Sequence, residues 1–372
     1  MRSVIAEVRQ VISGVRYRSQ SIRMDSLLGF NIISCLIELV RMSIKLCGEE
    51  DFNKRVTSEF RAVDVVGKKL GGVVESFSDE WFAAASNLIE PTVPIRDATR
   101  FVHAGAWYDG WETRRHNEQE YDWVILRMGV AAAHLVGAEV DTAFFNGNHA
   151  PFVSVDALYD EQASGIGEDD PRWVNIIEKF ECNPSQKHFV IRKEGLTKEK
   201  FTHVKLKMYP DGGIARFRLY GQVVPPALAQ DALLDLASVC NGAVAQAVSD
   251  QHFGSADNLL LPGRGHDMSD GWETKRSREP GHVDWVIIQL GRKTSYLDHV
   301  VIDTAHFRGN FPQFVTVHGS NGSDEWIELV GKSRTGPDQE HKFTVAKDVE
   351  LTHLKITIIP DGGVKRIRAI GR

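Results

Sequence analysis

The chain has 372 residues, 42% of them hydrophobic and 25% charged, the composition of an ordinary globular protein with enough length for two cores of about 150 residues each. A formal net charge of −6, with no Lys/Arg block interleaved with aromatics, argues against nucleic acid as a partner. The four cysteines, Cys35, Cys47, Cys182 and Cys240, form no CxxC and share no repeated spacing, so neither a disulfide framework nor a thiolate zinc site is expected, and a reducing compartment, most simply the cytoplasm, is.

Residues 1–57 have no counterpart further along and are expected to stand outside the fold as an N-terminal extension. Their longest apolar run, residues 27–40, is broken by Asn31 and Glu38. It is shorter than the ~20 residues a bilayer span needs, so no membrane partner is expected. From residue 58 onward the chain says the same thing twice: a first repeat over 58–221, a linker over 222–226 containing Pro225-Pro226, and a second repeat over 227–372. The repeats open on Asp64-Val-Val-Gly-Lys-Lys-Leu-Gly-Gly72 and Asp235-Leu-Ala-Ser-Val-Cys-Asn-Gly242, each reading as a helical turn or two with Asp as N-cap and Gly as stop.

The shared signature follows, Asp109-Gly-Trp-Glu-Thr-Arg-Arg115 and Asp270-Gly-Trp-Glu-Thr-Lys-Arg276. Next come Asp122-Trp-Val-Ile-Leu-Arg-Met-Gly129 and Asp284-Trp-Val-Ile-Ile-Gln-Leu-Gly291, then Val140-Asp141-Thr142 and Ile302-Asp303-Thr304. Phe145-Asn-Gly-Asn148 matches Phe307-Arg-Gly-Asn310, and the turn Pro210-Asp-Gly-Gly213 matches Pro360-Asp-Gly-Gly363. A period of roughly 150–170 residues is far beyond the ~20–50 of a solenoid and implies two whole domains of one fold. In His203-Val-Lys-Leu-Lys-Met208 the apolar residues alternate with His203, Lys205 and Lys207, as a half-buried strand requires. Short strands separated by turns, with little helix, predict an all-β fold of two antiparallel β-sandwiches. The acidic stretch 160–170, which makes the first repeat about nine residues longer, reads as a solvated surface loop.

No GxSxG, HExxH, Walker loop or GxGxxG is present, which removes the standard serine-hydrolase, zincin and nucleotide-binding readings. What remains is a doubled set of carboxylates, guanidinium groups and amides. If the signature continues as a strand past Trp111, then Trp111, Thr113 and Arg115 face one way and Glu112 and Arg114 the other. Glu112 and Glu273 are then either exposed partners of the neighbouring cation or acids at a ligand-gathering loop. Asp141 and Asp303 sit in otherwise apolar strands, where an ionised carboxylate needs a partner; an internal pair with an Arg is the structural alternative. Arg216 with Arg218, and Arg366 with Arg368, share a face and form either a solvated edge or a fork for a carboxylate. Asn148 and Asn310 lie in amide-rich loops.

At Leu70-Gly-Gly, Ser78-Asp-Glu-Trp-Phe-Ala-Ala-Ala, Asp109-Gly-Trp-Glu-Thr-Arg-Arg-His-Asn, Asp141-Thr-Ala-Phe-Phe-Asn-Gly-Asn and Asp270-Gly-Trp-Glu-Thr-Lys-Arg-Ser-Arg, the sequence resembles the allantoicases of purine catabolism, specifically the fungal type, over about residues 59–372. The resemblance implies a galactose-binding-like jelly roll in each repeat and an amidinohydrolase that converts allantoate to (S)-ureidoglycolate and urea. Allantoate carries one carboxylate and two ureido groups on a single carbon. A site for it needs a cation, amide or carboxylate partners for ureido N–H groups, and an acid for the departing urea. On this reading Arg115 or Arg276, with Arg216 or Arg366, holds the carboxylate, Asn148 or Asn310 meets the ureido groups, and Glu112 or Glu273 with Asp141 or Asp303 handles protons and water. A divalent cation stays open, because arginase-like hydrolases of related substrates use Mn²⁺, although no residues here have metal spacing. A homo-oligomer stays open too, as does the choice of repeat. The competing class is a non-catalytic jelly-roll ligand-binding module.

Overall fold

The computed structural model describes residues 43–162, 165–229 and 231–372. Each repeat is a sandwich of two antiparallel sheets. In the first repeat one sheet runs Ile44–Cys47, Lys187–Arg192, Ala132–Asp141, Arg216–Val224, Val63–Asp64. The other runs Val174–Glu181, Phe152–Leu158, His203–Tyr209, Asp122–Arg127, Val73–Phe77. The second repeat keeps the order: Glu340–Asp348, Tyr296–Asp303, Arg366–Gly371, Leu234–Asp235 against Ile327–Arg334, Phe314–Ser320, His353–Ile359, Asp284–Gln289, Val244–Val248. This is the all-β, doubled jelly roll expected from the sequence. The period-2 alternation supplies the core: Val124, Leu126, Val204, Leu206 and Met208 are fully buried, as are Val286, Ile288, Leu354 and Ile356.

Three expectations fail, for physical reasons. Residues 43–59 do not stand outside the fold. Ile44–Cys47 adds an edge strand to the first sheet through Leu46↔Val190 and its neighbours, and the helical segment Glu49–Phe52, continued by the wider turn Asn53–Glu59, follows it. Phe52 and Val56 from that segment pack on Val136, Phe189 and Ile191, covering the sheet face that would otherwise meet water. Full burial of two such side chains is worth about 1.5–3 kcal/mol each, which is why an apolar Phe and Val stand four apart in a charged stretch. The apolar run 27–40 lies outside the described residues, and among those described no helix is long and apolar enough to cross a membrane.

The acidic stretch is not a freely solvated loop either. Lys205 donates to Glu168 O at 2.7 Å, Tyr121 Oη donates to Glu168 Oε1 at 2.5 Å, and Lys207 pairs with Asp156 at 2.7 Å. The polar face of His203–Tyr209 is therefore covered, and His203 and Lys205 are buried where alternation predicted exposure. In the second repeat, which lacks the insertion, His353, Lys355 and Thr357 remain half-exposed. The opening turns also differ from expectation. Asp64 and Asp235 lie in two-residue strands, each followed by a single tight turn. Gly71 and Gly242 do stop those turns in the left-handed region, and Ser238 rather than Asp235 caps the second, accepting from Cys240 N–H.

Candidate active site

The signature forms a two-residue strand, Trp111–Glu112, paired with Gly213–Ile214 from the Pro-Asp-Gly-Gly turn. Trp111 is fully buried and its indole N–H donates to Asp79 O at 2.8 Å; Trp272 does the same to Asp250 O. The indole thus fixes the register of the residue that follows it. Gly213 is required opposite Glu112, because a Cβ there would strike the Phe145 ring at 2.2 Å. The strand ends at Glu112, and the chain bends so that His116 takes a positive φ. The alternation expected through Arg115 accordingly breaks. Arg114 forks onto Asp79, with its Nη2 at 3.0 Å, while Arg115 turns to the Glu112 side and donates from Nη2 to Gly147 O at 2.7 Å.

Glu112 is only 7% exposed. The Asn148 amide donates to its Oε1 at 2.6 Å. Burial pushes the Glu112 carboxyl above the usual carboxylate range, opposed by the Asn148 hydrogen bond and then by the charge of Arg115. Glu112, Asn148, Arg114, Arg115, Gly147 and Phe82 line one open cavity of about 690 Å³. Beside the Arg114–Asp79 pair lies a second hollow of about 850 Å³, which shares Arg114 and Arg115 and is bounded by Tyr121 and Glu168. The arrangement presents a buried acid whose pKa is raised, a fixed amide and a guanidinium with donors to spare around a space for a small polar molecule.

The second repeat reproduces the core of this geometry: Glu273 pairs in register with Gly363, and Asn310 donates to its Oε1 at 2.5 Å. The surroundings differ. Glu273 is half-buried, Arg276 is exposed and reaches no acceptor, and Asn310 also touches Met268 Sδ at 3.7 Å.

Four expected site residues are not brought to either cluster. Asp141 is buried, accepts Ala143 N–H at 2.8 Å, and does not line the Glu112 cavity. Burial raises its pKa, with the Ala143 N–H and Lys187 opposing. Asp303 is gripped in bidentate fashion by Arg264 at 2.8 and 2.9 Å, the internal pair that was the structural alternative. Arg216 and Arg366 form no open fork. Arg216 spends its donors on Thr92 O, Asp109 O, Ala215 O and Asp109 Oδ2, and Arg366 does likewise on Gly263 O, Asp270 O, Lys365 O and Asp270 Oδ2. Both are braces that tie the loop before the signature to the closing strand.

The sequence reading missed the other half of those braces, Asp109 and Asp270, although the doubled Asp ahead of Gly-Trp was the signal. It also missed the excursion over residues 90–108, which is about ten residues longer than its counterpart. That segment carries a hairpin of Phe101–Val102 with Gly105–Ala106, and its His103 stands edge-on to Trp81, 5.5 Å between ring centroids. Trp81 in turn lies under Arg114.

A divalent cation does not fit the Glu112 cluster, where the single carboxylate shares its space with a guanidinium and an amide N–H donor. Among the described residues no group of three or more His, Cys, Asp or Glu is gathered to hold a metal.

The sequence profile of the Allantoicase repeat matches residues 63–224 and again 234–372. The chain is similar to allantoicase of Saccharomyces cerevisiae, 68% identical over 337 residues, which span 88% of this chain and 98% of that protein. It is similar to allantoicase of Neurospora crassa, 52% identical over 338 residues, 87% of this chain and 94% of that one. The crystal structure of the Saccharomyces cerevisiae allantoicase superposes with a TM-score of 0.77 at 66% identity, covering 88% of this chain and all of that one.

Proposed function

The chain belongs to the allantoicase family, and from that premise we propose that it hydrolyses allantoate to ureidoglycolate and urea with the Glu112 cluster of the first repeat as its reaction centre. The observation that carries this assignment is the Glu112 carboxyl, closed in by burial, hydrogen-bonded by Asn148 and flanked by Arg115 at the edge of a cavity. Arg115 binds the substrate carboxylate, since its guanidinium uses one nitrogen on Gly147 O and keeps the others for a planar oxyanion. Glu112 in its protonated form gives its proton to the ureido nitrogen as the C–N bond breaks, so that urea leaves neutral. The carboxylate left behind takes a proton from the water that adds to the same carbon, which regenerates the acid and forms the hydroxyl of ureidoglycolate. Burial, which raises the Glu112 pKa above the usual carboxylate range, favours the protonated form that this step begins from. Asn148 holds the Glu112 carboxyl in place and offers its amide carbonyl to a ureido N–H.

The free thiols Cys47, Cys182 and Cys240 support a reducing compartment, and we place the activity in the cytoplasm. The test is urea release from allantoate by the purified chain and by Glu112→Gln. Release by the wild type that is abolished in the variant supports the assignment. Full release by Glu112→Gln, or binding without release by the wild type, overturns it.

A further inference from the structure

Between the repeats lies a cavity of about 360 Å³ that the chemistry above does not use. The first repeat contributes Arg61, Lys69 and the Asp64–Arg218 pair, and the second contributes Asp257 with an apolar wall that includes Val239 and Leu260. Its size falls at the lower end of small-molecule sites, which concentrate at domain interfaces. Asp64 and Arg218 are occupied with each other and with backbone: Arg218 Nε stands 3.5 Å from Asp64 Oδ2, and Leu219 N–H donates to Asp64 Oδ1 at 3.2 Å. Arg61 is different. Its Nη1 is shielded from solvent and has no hydrogen-bond partner. An orphaned guanidinium nitrogen is costly to bury, and nearly all such groups in folded proteins find a partner. Arg61 also holds a positive φ of 49° without being glycine, a conformation kept only where the surroundings enforce it. Lys69 is exposed and reaches no carboxylate, and Asp257 is near enough for its charge and that of Arg61 to act on one another. Neither Arg61 nor Lys69 is duplicated: the second repeat has Ala232 and Cys240 at those positions.

We propose that this inter-repeat cavity is a second ligand site, distinct from the Glu112 cluster, which takes a short carboxylate carrying N–H donors at its far end. The carboxylate sits on Lys69 and on the accessible edge of the Arg61 guanidinium, which has no hydrogen-bond or ion-pair partner of its own among the described residues. The N–H end faces Asp257, and the body lies on the apolar wall. A ligand so placed touches both repeats and stabilises their union.

The probe is hydantoate, a ureido carboxylate with no second ureido group on its carbon, with β-alanine offering an ammonium in place of the ureido end and acetate lacking any N–H donor. At saturating concentration hydantoate or β-alanine is expected to raise the melting temperature of the full chain by about 2–4 °C, while acetate leaves it within error. On an Arg115→Gln background, in which the Glu112 cavity has lost its carboxylate partner, the rise persists, and Arg61→Gln abolishes it. Lys69→Gln, a change on an exposed side chain, reduces it at least several-fold in ligand concentration without altering the unliganded melting temperature. Glu112→Gln retains it. The proposal is overturned if neither probe shifts the wild type, if acetate shifts it equally, if Arg61→Gln and Lys69→Gln both keep the full rise, or if Glu112→Gln loses it. Urea release measured on the same proteins tests the Glu112 assignment separately.

Discussion

Glu112 and Glu273 stand at the same register position, each opposite a glycine and each holding an asparagine amide, yet one is closed in and the other half open. The strands around them do not account for this, because both sandwiches have the same order. The difference lies in the immediate neighbours: Arg115 turns in beside Glu112 and donates to Gly147 O, whereas Arg276 beside Glu273 is exposed. The doubling therefore supplies two copies of a frame that differ in the donors standing beside an otherwise equivalent carboxyl. Where repeat 1 spends residues on a pocket, repeat 2 closes itself with ion pairs. Asp303 is locked by Arg264, whose counterpart position in the first repeat is Val93, and Lys365 is fully buried against Asp270 where the first repeat has Ala215.

The largest effect that can break this comparison is catalytic. Glu112→Gln is expected to lower kcat/KM by about 10³–10⁴-fold, whereas Glu273→Gln changes it by less than about threefold; steady-state urea release decides, and equal losses would mean that both repeats react. Next is stability. Asp270→Ala strands two buried cations, Lys365 and Arg366, and should cost about 3–5 kcal/mol in urea denaturation. Asp109→Ala strands Arg216 alone and should cost less, while loosening the base of the excursion through the lost Asp109–Ile95 N–H bond and so lowering activity. Third, Arg115→Lys should raise KM for allantoate by about 10- to 50-fold with a smaller change in kcat, since a point charge replaces a planar fork, and Arg276→Lys should leave both unchanged.

The smallest expected effect concerns pH. Burial, opposed by Arg218, moves the Asp64 carboxyl up to about 6. The folded chain then keeps a proton that the unfolded chain releases near pH 4, so this group's contribution is fully present below that pH and is lost as pH rises through about 6. Denaturation midpoints of the wild type should fall relative to Asp64→Asn between pH 4 and 6.5; a constant difference across that range would exclude the shift.

Much of the frame was legible in the residues. The doubled signature gave two domains, and alternation in Asp122–Arg127 and His203–Tyr209 gave the buried faces. What alternation could not give was the fate of the polar face, because Lys205 is buried by Glu168, which arrives from a separate stretch of chain. The arginines illustrate the same limit. Arg216 and Arg218 do come from one strand, as spacing requires, but whether their guanidinium groups meet ligand or loop was decided by Thr92 O, Leu88 O and Asp109, over 100 residues away.

By itself the sequence determined the repeat, the strand class, the family and the short list containing Glu112, Arg115 and Asn148, because periodicity and local motif are properties of neighbours along the chain. Only the tertiary structure decided that those three stand together, that Asp141, Asp303, Arg216 and Arg366 are engaged elsewhere, and that an orphaned Arg61 nitrogen lies between the repeats. Solvation and hydrogen-bond satisfaction depend on which distant segments come to rest against a side chain, and no local pattern encodes that.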